Sequence, residues 1–312
     1  MGNRVKIPKP MSLIEFSDNF NNEEKCRQDL WLKRLAIGFK CPRCENTVGY
    51  KLNKTLKWEC ANCKHQISLI ANTVFDNTKI ELRKWYFAAY LILSSKGGMS
   101  AKELERHIGV TYKTAWYVNR RLREAMGTAN NKYKLNGTVT MDEAYFTGRI
   151  NDNETPLKRG RGTYKSKVIV AVSLTEDGKP LYVHMQVVEN FKAVTIEKFT
   201  NEHIEKGSKI IADGFKSYKS IKLKENYFVD FDMLPADNAK SQLRWLHILI
   251  SNAKAFILGT FHGLKNQDLQ LYLNEFCYRF NRRYMPHLMF DKLIDSAIIT
   301  PSIGYYFSDF TN

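Results

Sequence analysis

The stretch GTVTMDEAYF, residues 137–146, decides how the second half of the chain folds. Its β-branched and aromatic residues follow a glycine, a pattern that predicts a β-strand. Asp142 and Glu143 stand inside this otherwise apolar strand. Because a buried carboxylate is costly unless something pairs with it, Asp142 is a candidate metal ligand. Glu143 should point to the opposite side of the strand and is not assigned to such a site.

The segments after this strand alternate between strands and helices. Strands are predicted at 168–174, 181–188, 208–212 and 227–231, and helices at 195–206, 215–223 and 243–258. The order β-β-β-α-β-α-β-α predicts an α/β fold and resembles a ribonuclease-H-like core, with a mixed sheet and flanking helices. In that topology the first and fourth strands are neighbours, so Asp213 would meet Asp142. Asp213 could instead only cap a turn.

A polar and basic segment, residues 151–166, follows the first of these strands. Its positive residues surround two glycines and are Lys158, Arg159, Arg161 and Lys165. We expect a loop here that suits contacts with phosphates.

The cysteines upstream have the spacing of a metal site. Four of the six form CPRC and CANC with fifteen residues between them: Cys41, Cys44, Cys60 and Cys63. Each pair can place two thiolates on one tight turn, and two such turns complete a tetrahedron, so the spacing predicts a zinc ribbon. Two disulfides are the alternative, and an intracellular location disfavours them. The role of the zinc is expected to be structural, because four cysteines leave no open coordination position.

Two helices with a short connection are predicted after the ribbon. Ser100 and Glu103 form a capping pattern, Gly109 stands at the turn, and Thr111 can cap the second helix. This arrangement indicates a helix-turn-helix that binds DNA, although an ordinary helical hairpin with a solvated basic face has the same pattern. The second helix is expected to expose polar and basic residues that contact DNA: Lys113, Tyr117, Arg120, Arg121 and Arg123.

Composition and charge limit the class of protein. The 312 residues include 48 Lys and Arg against 32 Asp and Glu, a net charge of +16. Residues 1–130 hold 23 of the basic residues and 12 of the acidic ones. This excess predicts a polyanionic partner, most often nucleic acid. No apolar run suggests a membrane span or a secretory signal, so we expect a cytoplasmic, nucleoid-associated protein.

Taken together, these motifs resemble the zinc-ribbon insertion-sequence transposases of the DDE type, whose core is described as an ISXO2-like transposase domain. The resemblance runs from about residue 13 to 300. It rests on the CPRC and CANC pairs, MDEAYFTG at 141–148, KRGRGT at 158–163 and ADGFKSY at 212–218. It also rests on WLHILISNAK at 245–254, GTFHGL at 259–264 and LNEFCYRFNRR at 273–283.

The resemblance implies a division into three parts and a chemistry. The parts are a zinc ribbon at 13–75, a helical helix-turn-helix segment at 76–130 and a ribonuclease-H-like catalytic domain at 135–300. The chemistry is DNA cleavage and strand transfer with Mg²⁺ or Mn²⁺, held by Asp142 and Asp213 as the first two catalytic residues. The partners it implies are double-stranded DNA at the element's terminal repeats and at the target, bound by a homodimer or larger assembly.

The third catalytic position in most DDE enzymes is a Glu, and here the resemblance places His247 there, followed by Lys254. Seven helical residues turn about 700°, which brings His247 and Lys254 within about 20° of one face. Asn252 sits about 140° round from His247 and is the weaker candidate. Imidazole is a poor ligand for Mg²⁺, so His247 could orient water or the leaving oxygen, ligate Mn²⁺, or simply pack near Trp245.

Two other classes of function remain open on the sequence. One is a DNA-binding regulator that has the ribbon and the helix-turn-helix but an inactive core. The other is a ribonuclease-H-like nuclease that cuts without joining. Loss of Asp142 or Asp213 would not matter to the regulator, which separates it from both enzymes.

Overall fold

The computed structural model describes residues 7–38, 40–52, 57–146, 165–212, 228–230, 243–262 and 264–301. The chain divides into two compact units: residues 1–128 with 285–312, and residues 129–284. Within the described ranges no helix is long and apolar enough to cross a membrane.

The first unit combines helices with a small three-stranded antiparallel sheet. Its elements are α1 (Leu13–Asn19), α2 (Glu23–Ile37), β1 (Gly49–Leu52), β2 (Lys57–Cys60), β3 (Gln66–Ser68), α3 (Leu82–Ser94), α4 (Ala101–Ile108) and most of α5 (Tyr112–Asn130). In the predicted ribbon, β1 and β2 form a hairpin, and β3 adds a third strand beside β2. Helices α1 and α2, which precede it, were not predicted.

The last described helix of the chain, here α9 (Met289–Ile299), belongs to this first unit. It packs against α2 and α3. Lys33 of α2 forms an ion pair with Asp291 at 2.7 Å, and the Val74 N–H donates to the Ala297 carbonyl at 2.9 Å. Phe290 lies among aromatic side chains of α1 and α3. The predicted catalytic domain, 135–300, differs from this division because its last helix completes the N-terminal core.

Helix α3 begins at Leu82, where a residue of α2 caps its first turn. Glu23 of α2 accepts hydrogen bonds from the backbone N–H groups of Leu82 and Arg83, at 3.1 and 2.9 Å. These are two of the donors that a helix leaves without intrahelical partners at its first turn. Thr78 lies outside the helix, where its hydroxyl accepts the indole N–H of Trp85 at 2.9 Å.

The second unit is built on a five-stranded mixed sheet. Its strands are β4 (Thr138–Phe146), β5 (Ser166–Leu174), β6 (Pro180–Val188), β7 (Lys209–Ala212) and β8 (Phe228–Asp230), in the order β6-β5-β4-β7-β8. The pairs β4–β5 and β5–β6 are antiparallel, whereas β4–β7 and β7–β8 are parallel. The predicted neighbours, the first and fourth strands of this core, are therefore adjacent.

Helices cover both faces of this sheet. Helices α7 (Arg244–Thr260) and α8 (Leu269–Asn281) pack on the face that carries Ala144 and Phe146. Helix α6 (Ala193–His203) packs on the opposite face, against Val139 and Met141. Because successive strand residues point to opposite faces, β4 directs Asp142 to the side of α7. The helix predicted at 215–223 lies outside the described residues.

Candidate functional site

Asp142 and His247 meet between β4 and α7. The His247 Nε2 atom lies 3.2 Å from Oδ2 of Asp142, and the backbone N–H of Glu143 donates to Oδ1 at 2.7 Å. The Asp142 side chain is 19% exposed and that of His247 is 53% exposed. The site is therefore a carboxylate that is held from two sides and still reached by solvent.

Asp213 lies outside the described residues, and the structure describes its neighbour along the chain. Parallel strands β4 and β7 pair Met141 with Ala212. These two residues directly precede Asp142 and Asp213 in the sequence. The sheet thus places Ala212, the last residue of β7, beside the β4 residue that precedes Asp142.

Lys254 lies on the same side of α7 as His247, as the seven-residue spacing predicts. Its Nζ atom lies 5.5 Å from the centre of the Phe146 ring, a cation–π distance. Burial, together with the nearby Lys165 ammonium, lowers the pKa of Lys254. Asn252, the weaker candidate, is exposed.

The donor set at Asp142 fits a hard divalent cation. Mg²⁺ is bound through one or two carboxylates and keeps several waters, whereas imidazole nitrogen suits Mn²⁺ better than Mg²⁺. Asp142 offers a partly exposed carboxylate, and His247 offers an adjacent ring nitrogen. In the part of the chain that the structure describes, the one group of three or more potential ligands gathered at a single point is the cysteine cluster.

That cluster consists of the four predicted cysteines, Cys41, Cys44, Cys60 and Cys63. Their Sγ atoms all lie within 4.8 Å of one another, with 3.5 Å between Cys41 and Cys63 and between Cys44 and Cys60. A tetrahedral zinc with bonds of about 2.3 Å needs sulfur–sulfur distances of about 3.8 Å. The four thiols are free rather than disulfide-bonded, and the arrangement fits zinc.

The two cysteine pairs lie on matching turns. In each, an N–H four residues on donates to the carbonyl of the first cysteine: Glu45 to Cys41 at 2.8 Å and Lys64 to Cys60 at 3.0 Å. Glu45 and Lys64 both have φ of 57°, which closes each turn. Burial opposes ionisation of Cys60, but nearby N–H donors outweigh it and lower its pKa to about 6. Thiolate is the form that binds metal.

The two predicted helices after the ribbon are present as α4 and α5. The Ser100 hydroxyl accepts the Glu103 N–H at 3.1 Å, and the Thr111 hydroxyl accepts the Thr114 N–H at 3.3 Å. Gly109 ends α4 with φ of 59°, a left-handed conformation that glycine adopts without strain. The predicted caps and turn are therefore confirmed at the level of local structure.

The prediction that α5 exposes Arg121 and Arg123 is wrong. Arg121 is fully buried and Arg123 is 3% exposed. Arg121 donates to Glu124 at 2.9 Å, and Arg123 donates to the Met99 carbonyl at 3.3 Å. Helix α5 is therefore covered beyond its buried apolar residues, and these two arginines are enclosed.

The other predicted DNA-contacting residues of α5 differ in accessibility. Lys113 and its neighbour Tyr112, in the first turn, are exposed. Arg120 is partly buried over the Trp116 ring and lies 3.7 Å from Glu124. Tyr117 is partly buried and packs edge-on against Trp85. The accessible surface of α5 is thus concentrated at its N-terminal turn.

The predicted basic loop, residues 151–166, is described only at its C-terminal end. Lys158, Arg159 and Arg161 lie outside the described residues, whereas Lys165 is described and directly precedes β5. The sequence grouped Lys165 with the loop. Its proximity to Lys254 depends on the packing of α7 against β4, which no local sequence signal reveals.

Comparison with known proteins gives matches over both halves of the chain. Residues 134–281 match the family described as ISXO2-like transposase domain, and residues 21–66 match the transposase zinc-ribbon domain. A protein of Halobacterium salinarum, named "Uncharacterized protein in transposable element ISH50", is 26% identical over 213 residues. That alignment covers 64% of this chain and 70% of the relative.

Among solved structures, the Mos1 strand transfer complex aligns with a TM-score of 0.29 and 13% identity, over 70% of this chain and 79% of that one. A pre-cleavage Mos1 transpososome aligns with a TM-score of 0.26 and 12% identity, over 91% and 99% of the two chains. The family matches confirm the resemblance drawn from the motifs: a match to a transposase zinc-ribbon domain is followed by a match to an ISXO2-like transposase domain.

Proposed function

We propose that this protein is the transposase of an insertion sequence, which binds the ends of its element and cleaves and joins DNA by metal-dependent phosphoryl transfer. The observation that carries the proposal is the contact between Asp142 and His247. It joins the predicted first and third catalytic positions, which are 105 residues apart in the sequence.

Asp142 and Asp213 are the proposed metal ligands. Divalent metal bound there would activate the attacking water or 3′-hydroxyl and stabilise the leaving oxygen. Asp142 is suited to this because the Glu143 N–H fixes Oδ1 while the carboxylate stays partly open to solvent. The pairing of Met141 with Ala212 supports a role for both aspartates at one end of the sheet.

His247 is the proposed third residue, and its contact suggests how it acts. A ring nitrogen 3.2 Å from Oδ2 can orient the carboxylate and the water beside it. Partners that orient a metal-binding carboxylate tune the site without contributing a charge of their own. More than half of the His247 side chain is exposed, so the ring can also meet a DNA strand. Lys254, on the same face of α7, is proposed to hold a DNA phosphate.

The N-terminal unit is proposed to recognise the element ends. A structural zinc in the cysteine cluster would hold the ribbon, and the first turn of α5 would contact DNA through Lys113. Lys158, Arg159 and Arg161 are proposed to guide the strand at the active site. Joining two ends requires at least two active sites in most such schemes, so we propose a homodimer or larger assembly on DNA.

Strand transfer tests the proposal directly. Purified protein is incubated with a pre-cut labelled element end, a supercoiled target and Mn²⁺ or Mg²⁺, beside Asp142→Ala and Asp213→Ala. Joined product that disappears in both variants is the expected result. End binding without cutting or joining in either metal would contradict the proposal and favour a DNA-binding regulator. Cutting without joining would favour a nuclease.

A further inference from the structure

We propose that helix α8 takes the place of a further strand along β6 and keeps this edge of the sheet closed to strands of a second copy of the chain. The proposal goes beyond the proposed function, because it concerns a surface through which copies of the protein do not associate. It also gives a role to residues of LNEFCYRFNRR, 273–283, a stretch to which the proposed chemistry assigns none.

Strand β6 lies at one end of the sheet. In the described part of the second unit it pairs with β5 alone. In an edge strand, the N–H and carbonyl groups of alternate residues point away from the neighbouring strand, and another strand can add to this row. In β6 the outward row includes Val183, Met185 and Val187, and these residues hydrogen-bond to α8 instead.

Two amide side chains of α8 bond this row as a strand would. Asn281 accepts the Val183 N–H at 2.8 Å and donates to the Val183 carbonyl at 3.0 Å. Gln270 accepts the Val187 N–H at 2.8 Å and donates to the Met185 carbonyl at 3.0 Å. A side-chain amide carries the same donor and acceptor as a peptide group. The Asn281 pair therefore resembles one rung of an antiparallel ladder, and the Gln270 pair resembles one rung of a parallel ladder.

The rest of the outward row is bonded as well. Arg283, just after α8, donates to the Leu181 carbonyl at 2.9 Å. A hydrogen bond from the Met185 backbone to Cys277 opposes the rise in pKa that burial causes in this thiol. The three residues of α8 that bond the edge are spaced by seven and four positions, so they lie within about 40° of one another on the helix. One polar stripe of α8 thus follows the edge along its length.

These bonds matter because the edge is not solvated. Val183 is fully buried and Met185 is 4% exposed. A buried N–H or carbonyl that loses its partner is costly until another group pairs with it. Leucine in place of the two amides would leave the row without these partners. The same row of a second copy could then supply them, in an antiparallel pairing about a twofold axis.

Hydrogen exchange and molar mass test the proposal on the full chain, without DNA. The variants are Gln270→Leu, Asn281→Leu and the double variant. The matched control carries the same two changes, Asn266→Leu and Gln267→Leu, at exposed residues just before α8.

Two quantities are measured for each protein. NMR follows exchange of the Val183 and Val187 N–H groups. It also follows Val170, which pairs with Asp142 across β4 and β5 and reports whether the sheet stays folded. Light scattering measures the molar mass over a range of protein concentrations.

Wild type and control should protect both N–H groups and have the same molar mass at each concentration. Gln270→Leu should speed exchange at Val187, and Asn281→Leu at Val183, each by about 10-fold or more. The double variant should show both changes while Val170 stays protected. It should also form larger species than the control as the concentration rises, and each single variant should do so more weakly.

A folded double variant with the molar mass of the control at every concentration would overturn the proposal. Free exchange of Val183 and Val187 in the wild type would overturn it as well. If the double variant unfolds, with protection lost at Val170, the single variants decide by the same two measurements. Unchanged exchange or unchanged molar mass in them would contradict the proposal. None of these outcomes depends on whether the protein cuts or joins DNA.

Discussion

The imidazole of His247 lies 3.2 Å from the carboxylate of Asp142, and the two residues come from a helix and a strand that are far apart in the chain. This contact brings an imidazole to the proposed third catalytic position, where a Glu would supply a carboxylate. An imidazole adds no negative charge to the site. His247 must therefore act by orienting the Asp142 carboxylate, by offering a ring nitrogen as a ligand, or by both.

The first prediction compares the two members of this contact. Asp142→Asn keeps the shape of the side chain but removes its charge, so joining should fall below detection. His247→Ala should slow joining by about 10- to 100-fold, the usual cost of losing a partner that orients a metal ligand. Joining rates in Mn²⁺ and Mg²⁺ measure both effects, and unchanged thermal midpoints show that the variants are folded. Wild-type rates in His247→Ala would remove it from the site.

The second prediction separates exposed from buried basic residues of α5. Lys113→Ala should weaken DNA binding at all sequences and reduce the salt slope of the binding constant by about one. Arg121→Met should leave that slope unchanged, because Arg121 is fully buried. Anisotropy titrations over a salt series measure both. A loss of slope in Arg121→Met would show that this arginine becomes accessible on DNA.

The third prediction concerns zinc. Cys60→Ser should reduce the metal content from about one zinc per chain to near zero, because the site needs all four thiolates. Chelation of the wild type should lower its thermal midpoint, since a metal that binds only the folded form stabilises it. Cys277→Ala is the control, because Cys277 is buried far from the cluster in sequence and should leave the zinc in place. Full zinc content in Cys60→Ser would contradict the assignment.

The fourth prediction concerns pH and rests on two stacked histidines of the second unit. The rings of His184 and His203 lie 4.7 Å apart. Burial lowers the pKa of both to about 4, aided by His203 at His184 and by Lys134 at His203. His184 contacts the Tyr133 carbonyl at 3.1 Å, and His203 contacts the Gln186 side chain at 3.0 Å.

A lowered pKa in the folded state means that the unfolded chain binds more protons below its own pKa of about 6.5. The free energy of unfolding should therefore be constant with respect to these groups above pH 6.5 and should fall as the pH drops from about 6.5 to about 4. Thermal unfolding across this range measures the loss. His203→Gln should reduce the slope, whereas the exposed His107→Gln should not; equal slopes in all three proteins would refute the prediction.

Much of the architecture of the second unit could be predicted from the sequence because its signals are local. Strand β4 and helix α7 lie within one or two residues of the predicted bounds, since their apolar periodicity continues to their ends. The spacing of the four cysteines likewise predicted the ribbon. Helices α1 and α2 were not predicted, although Ser12 and Asn22 are ordinary N-caps.

The candidate site could be predicted only in part. The spacing of His247 and Lys254 indicates a shared helix face, but the contact with Asp142 depends on how α7 lies against β4. The burial of Arg121 could not be predicted either, because an arginine in a basic stretch of a helix has the same sequence pattern whether it is enclosed or solvated. Tertiary packing decides both cases.

The return of α9 to the first unit has a consequence for the order of synthesis. A ribosome makes the N-terminal helices and the ribbon first. The contacts of Lys33 with Asp291 and of Val74 with Ala297 can form only when the chain is nearly complete. The second unit, residues 129–284, is an insertion between these partners. The first unit therefore reaches its final core only after the entire second unit has been made, so a prematurely terminated chain cannot complete this core.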